Sequence, residues 1–295
     1  MLRRMILAGA LLTCVAPFAL AETADEVVAK YVAARGGMEK IKAVKSVKMT
    51  GKMVMGGAME APLVRMKRRP NDTRMEFVFQ GMTGVQAFDG TKEAAWSIMP
   101  FQGKKEPEVA PAEESKMLAE DADFDGVLID SKEKGNQIEL VGKEQVEGAD
   151  AFKLKVTRKN GDIDYVYIDA ETGLQVKSEG KRVIRGTEVE TETYLSDFKE
   201  VDGIPYAHTM SMGAKGGAEN QRMKFVYEKI EVNAAMPDSL FNLPANAVKA
   251  AETAKAADAK AGDAKGDAAK TATDATKSAD TKATAAKPAD PKKKK

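Results

Sequence analysis

Between Val47 and Ile230 the chain keeps returning to a period of two. Val47, Met49, Met53 and Met55 are apolar where Lys48, Thr50 and Lys52 are polar, and Met75, Phe77 and Phe79 alternate with Arg74, Glu76 and Gln80. Successive side chains on a strand point to opposite faces, so this pattern predicts strands with one wet and one dry face. The same rule covers Ile138-Leu140, Phe152-Leu154-Val156, Ile163-Tyr165-Tyr167, Leu174-Val176, Thr187–Tyr194, Tyr206–Met212 and Met223–Ile230. Asn160-Gly161, Thr172-Gly173 and Gly216-Gly217 separate them, and such pairs tolerate the positive φ of tight hairpin turns. The expected class is mainly β (α+β), a long antiparallel meander. A sheet of that many strands must curl to bury its dry face, as a barrel or half-barrel.

One helix precedes the strands. Thr23 and Glu26 form a capping box, and Ala24, Val27, Val28, Tyr31 and Val32 make an apolar face that Gly36-Gly37 brings to an end. Met38 and Ile41 fall in a short linker to the first strand.

The two ends of the chain read differently. Residues 1–21 carry Arg3 and Arg4, an apolar run from Met5 to Leu12, and Ala19-Leu20-Ala21 before Glu22. That is the layout of a cleavable secretory signal peptide, with an apolar run too short to span a membrane. Cleavage after Ala21 removes Cys14, the one cysteine, so the mature chain forms no disulfide. A lipid anchor at Cys14 is the second reading, weakened by Thr13, a poor residue to precede such a cysteine. Both readings export the protein. Residues 249–295 are mostly alanine, lysine, aspartate and threonine without an aromatic or large aliphatic residue, and such a segment cannot offset its ordering entropy by burial. It is expected to be disordered, either a basic tether to an anionic envelope surface or a merely solvated tail. Its twelve lysines and seven acids give +5, and the leader gives +2; out of the chain's +1 this leaves −6 for residues 22–248. That middle is one domain of ordinary size.

Sixteen methionines is a high count, and several lie on the dry face of the early strands. Methionine is flexible and polarizable and suits surfaces that re-pack around variable apolar ligands, although plain core filling uses it too. Catalysis has little to draw on. The mature chain has one histidine, His208, in a strand-like run, no cysteine, and no G-x-S-x-G element, P-loop, dinucleotide fingerprint or zinc spacing. No cofactor is expected, and nucleic-acid binding has only the lysine tail in its favour.

Three short motifs then follow in order: Lys67-Arg68-Arg69-Pro70-Asn71, Asp89-Gly90 with Trp96 and Pro100-Phe101, and Phe241-Asn-Leu-Pro244 with Val248. In this order, behind a signal peptide and on a strand-rich chain, they resemble the LolA-like periplasmic lipoprotein carriers and the related outer membrane lipoprotein-sorting proteins. The resemblance covers nearly all of residues 24–248. It implies a strongly curved antiparallel half-barrel with an N-terminal helix and a helical cover over a concave apolar face. It also implies a monomeric periplasmic protein that binds acyl chains of lipoproteins or lipids and docks with inner- and outer-membrane transport components. A non-catalytic envelope scaffold or sensor on the same fold is the alternative. Met49, Met53, Met55, Met75, Phe77, Phe79 and Trp96 are the expected cavity residues, Trp96 either lining it or packing beneath the Asp89-Gly90 turn. By the resemblance an arginine of the Lys67–Pro70 segment holds the cover closed: Arg69, or Arg68 if the alignment slips by one.

Residues 120–132, EDADFDGVLIDSK, begin like a calcium loop, with Asp121, Asp123, Asp125 and Gly126 at positions one, three, five and six. Position twelve, which needs a bidentate glutamate, is Lys132, so no metal site is expected. Upstream, Pro111 followed by Glu113 and Glu114 starts a helix. Residues 113–129 are therefore expected to form the helical cover, with Met117, Phe124 and Leu128 inward and the three aspartates in water or on Arg69.

Overall fold

A computed structural model describes residues 22–184 and 186–249. The expected leader and nearly all of the Ala/Lys/Asp-rich tail lie outside these residues.

Helix α1 (Ala24–Ala34) starts at the capping box: the Glu26 amide donates to Thr23 Oγ1 at 3.2 Å and the Thr23 amide to Glu26 Oε2 at 2.7 Å. Gly36 and Gly37, with φ of +88° and +91°, stop it, because a side chain there would be strained. The linker expected next is instead a second helix, α2 (Met38–Ala43). Six residues are too few to show an apolar period, and Ile41 alone is buried from it.

Six strands then run outward: β1 (Ser46–Met55), β2 (Met59–Arg68), β3 (Asp72–Phe79), β4 (Met82–Asp89), β5 (Ala94–Met99) and β6 (Lys104–Val109). Helix α3 (Ala112–Ala122) and an irregular stretch lead to β7 (Gln137–Val146), β8 (Ala149–Thr157), β9 (Ile163–Asp169) and β10 (Gln175–Ile184). The last three are β11 (Thr187–Val201), β12 (Ile204–Ala214) and β13 (Met223–Val232). All form one antiparallel sheet in the order β6-β5-β4-β3-β2-β1-β13-β12-β11-β10-β9-β8-β7. It is open and curved, the half-barrel expected from the sequence. Register breaks at Thr50/Gly51 and Leu140/Gly142 add local twist. At Gly51 a Cβ would stand 2.0 Å from the Val226 carbonyl oxygen, so this close approach requires glycine.

Strand β6 was not legible in the alternation. Its sequence, KKEPEV, is charged and carries Pro107, which suits a sheet edge that must not template further pairing. Because β6 and β7 lie at opposite edges, residues 110–136 have to cross the sheet. They cross its concave side, which makes them a strap. Beneath it, α1 packs on Phe152, Leu154, Val166 and Ile168, while Met53, Ala61, Leu63, Phe225, Tyr227 and Ile230 form a second cluster around β1, β2 and β13. No helix among the described residues is long and apolar enough to cross a membrane.

Candidate functional site

The registers of β1, β2 and β3 assemble the site. Met53 faces Ala61, Gly51 faces Leu63 and Met49 faces Arg65 across β1–β2; Leu63 faces Phe77 and Arg65 faces Met75 across β2–β3. Along β2 the inward residues read Met59, Ala61, Leu63, Arg65, Lys67: apolar at one end, cationic at the other. Met53 also faces Phe225, which faces Met210, and the Met212–Met223 pair extends the same surface. At the far side Phe101 packs against Phe77 and Phe79, with ring centroids 5.6 and 5.5 Å apart. Gly84 gives these rings room, since a Cβ there would come within 2.7 Å of Phe77 and 2.9 Å of Phe101. The result is an apolar surface of methionine and phenylalanine whose centre is packed, with Met53, Ala61, Leu63 and Phe225 buried. Met59, Met212 and Met223 at its rim are exposed to solvent.

The strap closes the other end through charge. Asp121 pairs with Arg65, accepts from the Thr73 hydroxyl at 2.8 Å and lies 3.8 Å from Lys67 Nζ. Asp123 accepts from Lys134 Nζ at 2.6 Å, and its carbonyl accepts from Lys67 at 3.3 Å. Asp125 accepts from Arg69 at 2.7 and 2.6 Å and from Lys42 at 3.1 Å. Burial alone would raise the Asp121 carboxyl, but Arg65, Lys67 and Thr73 outweigh it and hold it at about 2. Asp125 is lowered in the same way, its burial offset by Arg69 and Lys42. Burial pushes Lys67 down, against the pull of Asp121. The three aspartates that looked like metal ligands thus each serve a different cation.

The structure brings together only some of the expected cavity residues. Met49, Met53, Met55, Met75, Phe77 and Phe124 share one cluster, and Phe79 joins it through Phe101. Phe124 lines a cavity of about 280 Å³ with Met49, Tyr31 and Tyr206, and the Arg69 guanidinium sits 4.6 Å from its ring centre. Trp96 does not join this surface. The alternation puts it on the convex side, where it packs on Val85, Ala87, Leu243 and Ala247 and donates to the Phe241 carbonyl at 2.9 Å. Leu128 turns away as well, into the cluster under α1, because the chain after Ala122 is irregular rather than helical. Met117 is 41% exposed and lines a separate cleft between α3 and Asp162, Lys181 and Glu188. Arg69 meets Asp125 of the strap, whereas Arg68 points the other way, to Asp72 and Asp238 at 2.6 Å each.

Nor is the concave face apolar throughout. A second cavity, of about 290 Å³, is lined by Lys67, Glu120, Asp121, Arg158, Ser178 and Thr193. Arg65, Tyr227 and Phe101 were missed as site residues. The signal for Arg65 was present, since it shares the parity of Leu63 and Ala61, but a charge on a dry face reads as a break in the pattern. His208 is buried and bonds the Tyr227 carbonyl through Nδ1 at 2.7 Å, just where the β12–β13 ladder ends at Thr209–Val226. It joins two strands there. A carbonyl only accepts, so Nδ1 carries the proton.

No family model matches the chain, and no curated protein does. Comparison with solved structures finds distant similarities. A DUF1329 family protein from Desulfovibrio piger is 12% identical, with a TM-score of 0.51 over 75% of this chain and 98% of that one. A LolA superfamily protein from Nitrosomonas europaea is 13% identical over 75% and 98% of the two chains, with a TM-score of 0.49. A putative outer membrane lipoprotein-sorting protein domain from Vibrio parahaemolyticus is 15% identical over 74% and 95%, at 0.46. Identities this low speak of fold alone. In architecture the chain is an open antiparallel half-barrel covered on its concave side, a fold it shares with the DUF1329 family protein.

Proposed function

We propose that this domain binds and carries acyl chains of lipids or lipoproteins across an aqueous envelope compartment, without catalysis. The observation that carries this reading is the methionine- and phenylalanine-rich cluster on the concave face, with a cavity of about 280 Å³ lined by Met49 and Phe124 beneath a strap held mainly by ion pairs. Burying each CH₂ of a chain in such a cluster is worth about 0.8 kcal/mol, and flexible methionines let it accept chains of differing shape. Release requires a cover that opens, and α3 is lightly anchored: of its residues only Ala122 is fully buried, with Leu118 packed partly beside it. The sequence resemblance to periplasmic lipoprotein carriers supports the same reading and suggests periplasmic transport partners, with the basic tail as a tether.

The test is extraction of the purified mature protein and identification of bound lipid or acyl-peptide by mass spectrometry. Bound chains that disappear in Met53→Asp support carriage. A well-folded protein that is always empty, and whose envelope association needs only residues 249–295, would favour the scaffold alternative.

A further inference from the structure

The partners of Asp121 have an origin that bears on the cargo. The carboxylate comes from the strap, at the end of α3, while all its partners come from the floor: Arg65 and Lys67 on β2 and Thr73 on β3. Tyr227 on β13 supports Arg65 from the side, its hydroxyl accepting from Nη1 at 3.2 Å. Both oxygens of Asp121 are engaged by this floor. Two cations stand against one acid at a level whose strand neighbours are Met49 and Met75. Arg35 adds positive charge within electrostatic reach of Lys67, and Asp123 adds negative charge.

The local sequence of α3 gives no reason for the acid. Glu120 and Asp121 occupy the last helical turn, which has no basic residue and where the dipole disfavours negative charge. Asp121 is acceptable there because Arg65 and Lys67 meet the negative end of the helix, Lys67 also bonding the Asp123 carbonyl, while Glu120 lies 3.9 Å from Arg158. If the strap swings away, its carboxylate and its carbonyl leave together. Arg65 and Lys67, half-buried beside the apolar cluster, would then be bare. Such uncompensated charge is costly unless another anion replaces the one removed.

Resting on the carrier reading above, we propose that Arg65, Lys67 and Thr73 form the headgroup site for an anionic amphiphile, and that Asp121 occupies it as an internal stand-in when no chain is bound. The ligand carries a carboxylate or phosphate at one end of an apolar chain. Its headgroup replaces the Asp121 carboxylate, and its chain displaces the flexible methionine side chains packed around the buried Leu63 and Ala61 on its way to Met59 at the exposed rim. Six residues of strand span about 20 Å, room for an extended chain. Charge complementarity selects this occupant over a neutral lipid.

The experiment compares delipidated full-length protein binding laurate and its uncharged glycerol ester, monolaurin, by calorimetry at neutral pH. The decisive quantity is the ratio of the two affinities, because opening of the strap alone raises both together. Asp121→Asn is expected to raise the laurate-to-monolaurin ratio about tenfold, since the internal competitor is gone and the cations remain. Adding Arg65→Gln to Asp121→Asn should return the ratio to about one; Lys67→Gln in the same background serves if that variant does not fold. A ratio that neither Asp121→Asn nor the second substitution moves overturns the headgroup site while leaving chain binding intact. Failure of both ligands to bind any variant sinks the carrier reading itself. Inorganic phosphate that binds Asp121→Asn as tightly as laurate would mark a site for free anions and overturn the amphiphile assignment.

Discussion

Arg69 grips Asp125 with both ends of its guanidinium, Nη1 to Oδ2 at 2.7 Å and Nη2 to Oδ1 at 2.6 Å, while Nε and Nη2 also donate to the carbonyls of Val44 and Ile41. One side chain therefore ties the end of β2 to the end of α2 and to the strap. The carboxylate is 8% exposed and the guanidinium 20%, so little water screens the pair.

Asp125→Asn should cost about 2 kcal/mol, since two charge-assisted bonds become weaker and the arginine is left half-compensated. Urea unfolding gives the stability change. Hydrogen exchange gives its location: amides of residues 112–130 should lose protection while those of β8 and β9 keep theirs. Uniform loss over the whole sheet would show that the pair is part of the global core and not a fastening of the strap.

Acid should loosen the same strap. The Asp121 carboxyl is depressed in the folded protein to about 2, from an ordinary 3.8, and Asp125 is depressed too. A depressed carboxylate stabilises above its unfolded value, and that stability is lost as pH falls through its folded value. For Asp121 the loss runs from about pH 4 to about pH 2 and amounts to roughly 2 kcal/mol, less the screening its partial exposure allows. Other depressed acids, such as Asp169, slope the same way, so the informative measurement is a difference. Urea midpoints recorded between pH 5 and 2.5 should fall less steeply in Asp121→Asn than in the wild type.

How much of this was legible beforehand depends on the kind of signal. Period-two alternation marks a strand only when one face is dry and the other wet, so it located β1, β3 and β8 and missed β6, exposed and charged at its edge. Parity placed Met49, Met53, Met75 and Phe77 on one face, and the same parity applied to Trp96 from Ala95 and Ser97 would have put it on the other. The sequence marked residues 113–129 as a helical cover, but the path of the strap could not be read from it. What sends residues 110–136 across the concave side is the separation of β6 and β7 to opposite edges, a property of the pairing order. Leu128 was misjudged for a related reason: the helix ends at Ala122, and beyond it no periodicity says which way a side chain turns.

Trp96 offers a clean separation of stability from binding. Its indole N–H is buried against the Phe241 carbonyl at 2.9 Å, and its ring lies between the sheet and the C-terminal segment. Trp96→Phe should cost about 1 to 3 kcal/mol through the lost bond and the unpaired carbonyl. Laurate affinity should not change, and the fluorescence of wild-type Trp96 should stay constant during a laurate titration. A quench that saturates with ligand would place the chain on the convex side and contradict the concave site.

Gly84 tests where the chain runs. A Cβ at this position would press on Phe77 Cζ at 2.7 Å and Phe101 Cε1 at 2.9 Å. Both are ring edges, able to swing, so Gly84→Ala should cost only about 1 kcal/mol, less than a backbone clash would. The space they swing into is on the concave side. Laurate binding should therefore weaken several-fold, with exchange protection of residues 112–130 unaltered because the strap's ion pairs lie at the other end of β2. Gly81→Ala is the control: it also costs about 1 kcal/mol, through its φ of +75°, but nothing lies within 4 Å of the new Cβ and affinity should hold. Equal affinities for the two variants would mean that bound chains do not reach the Phe77–Phe101 end.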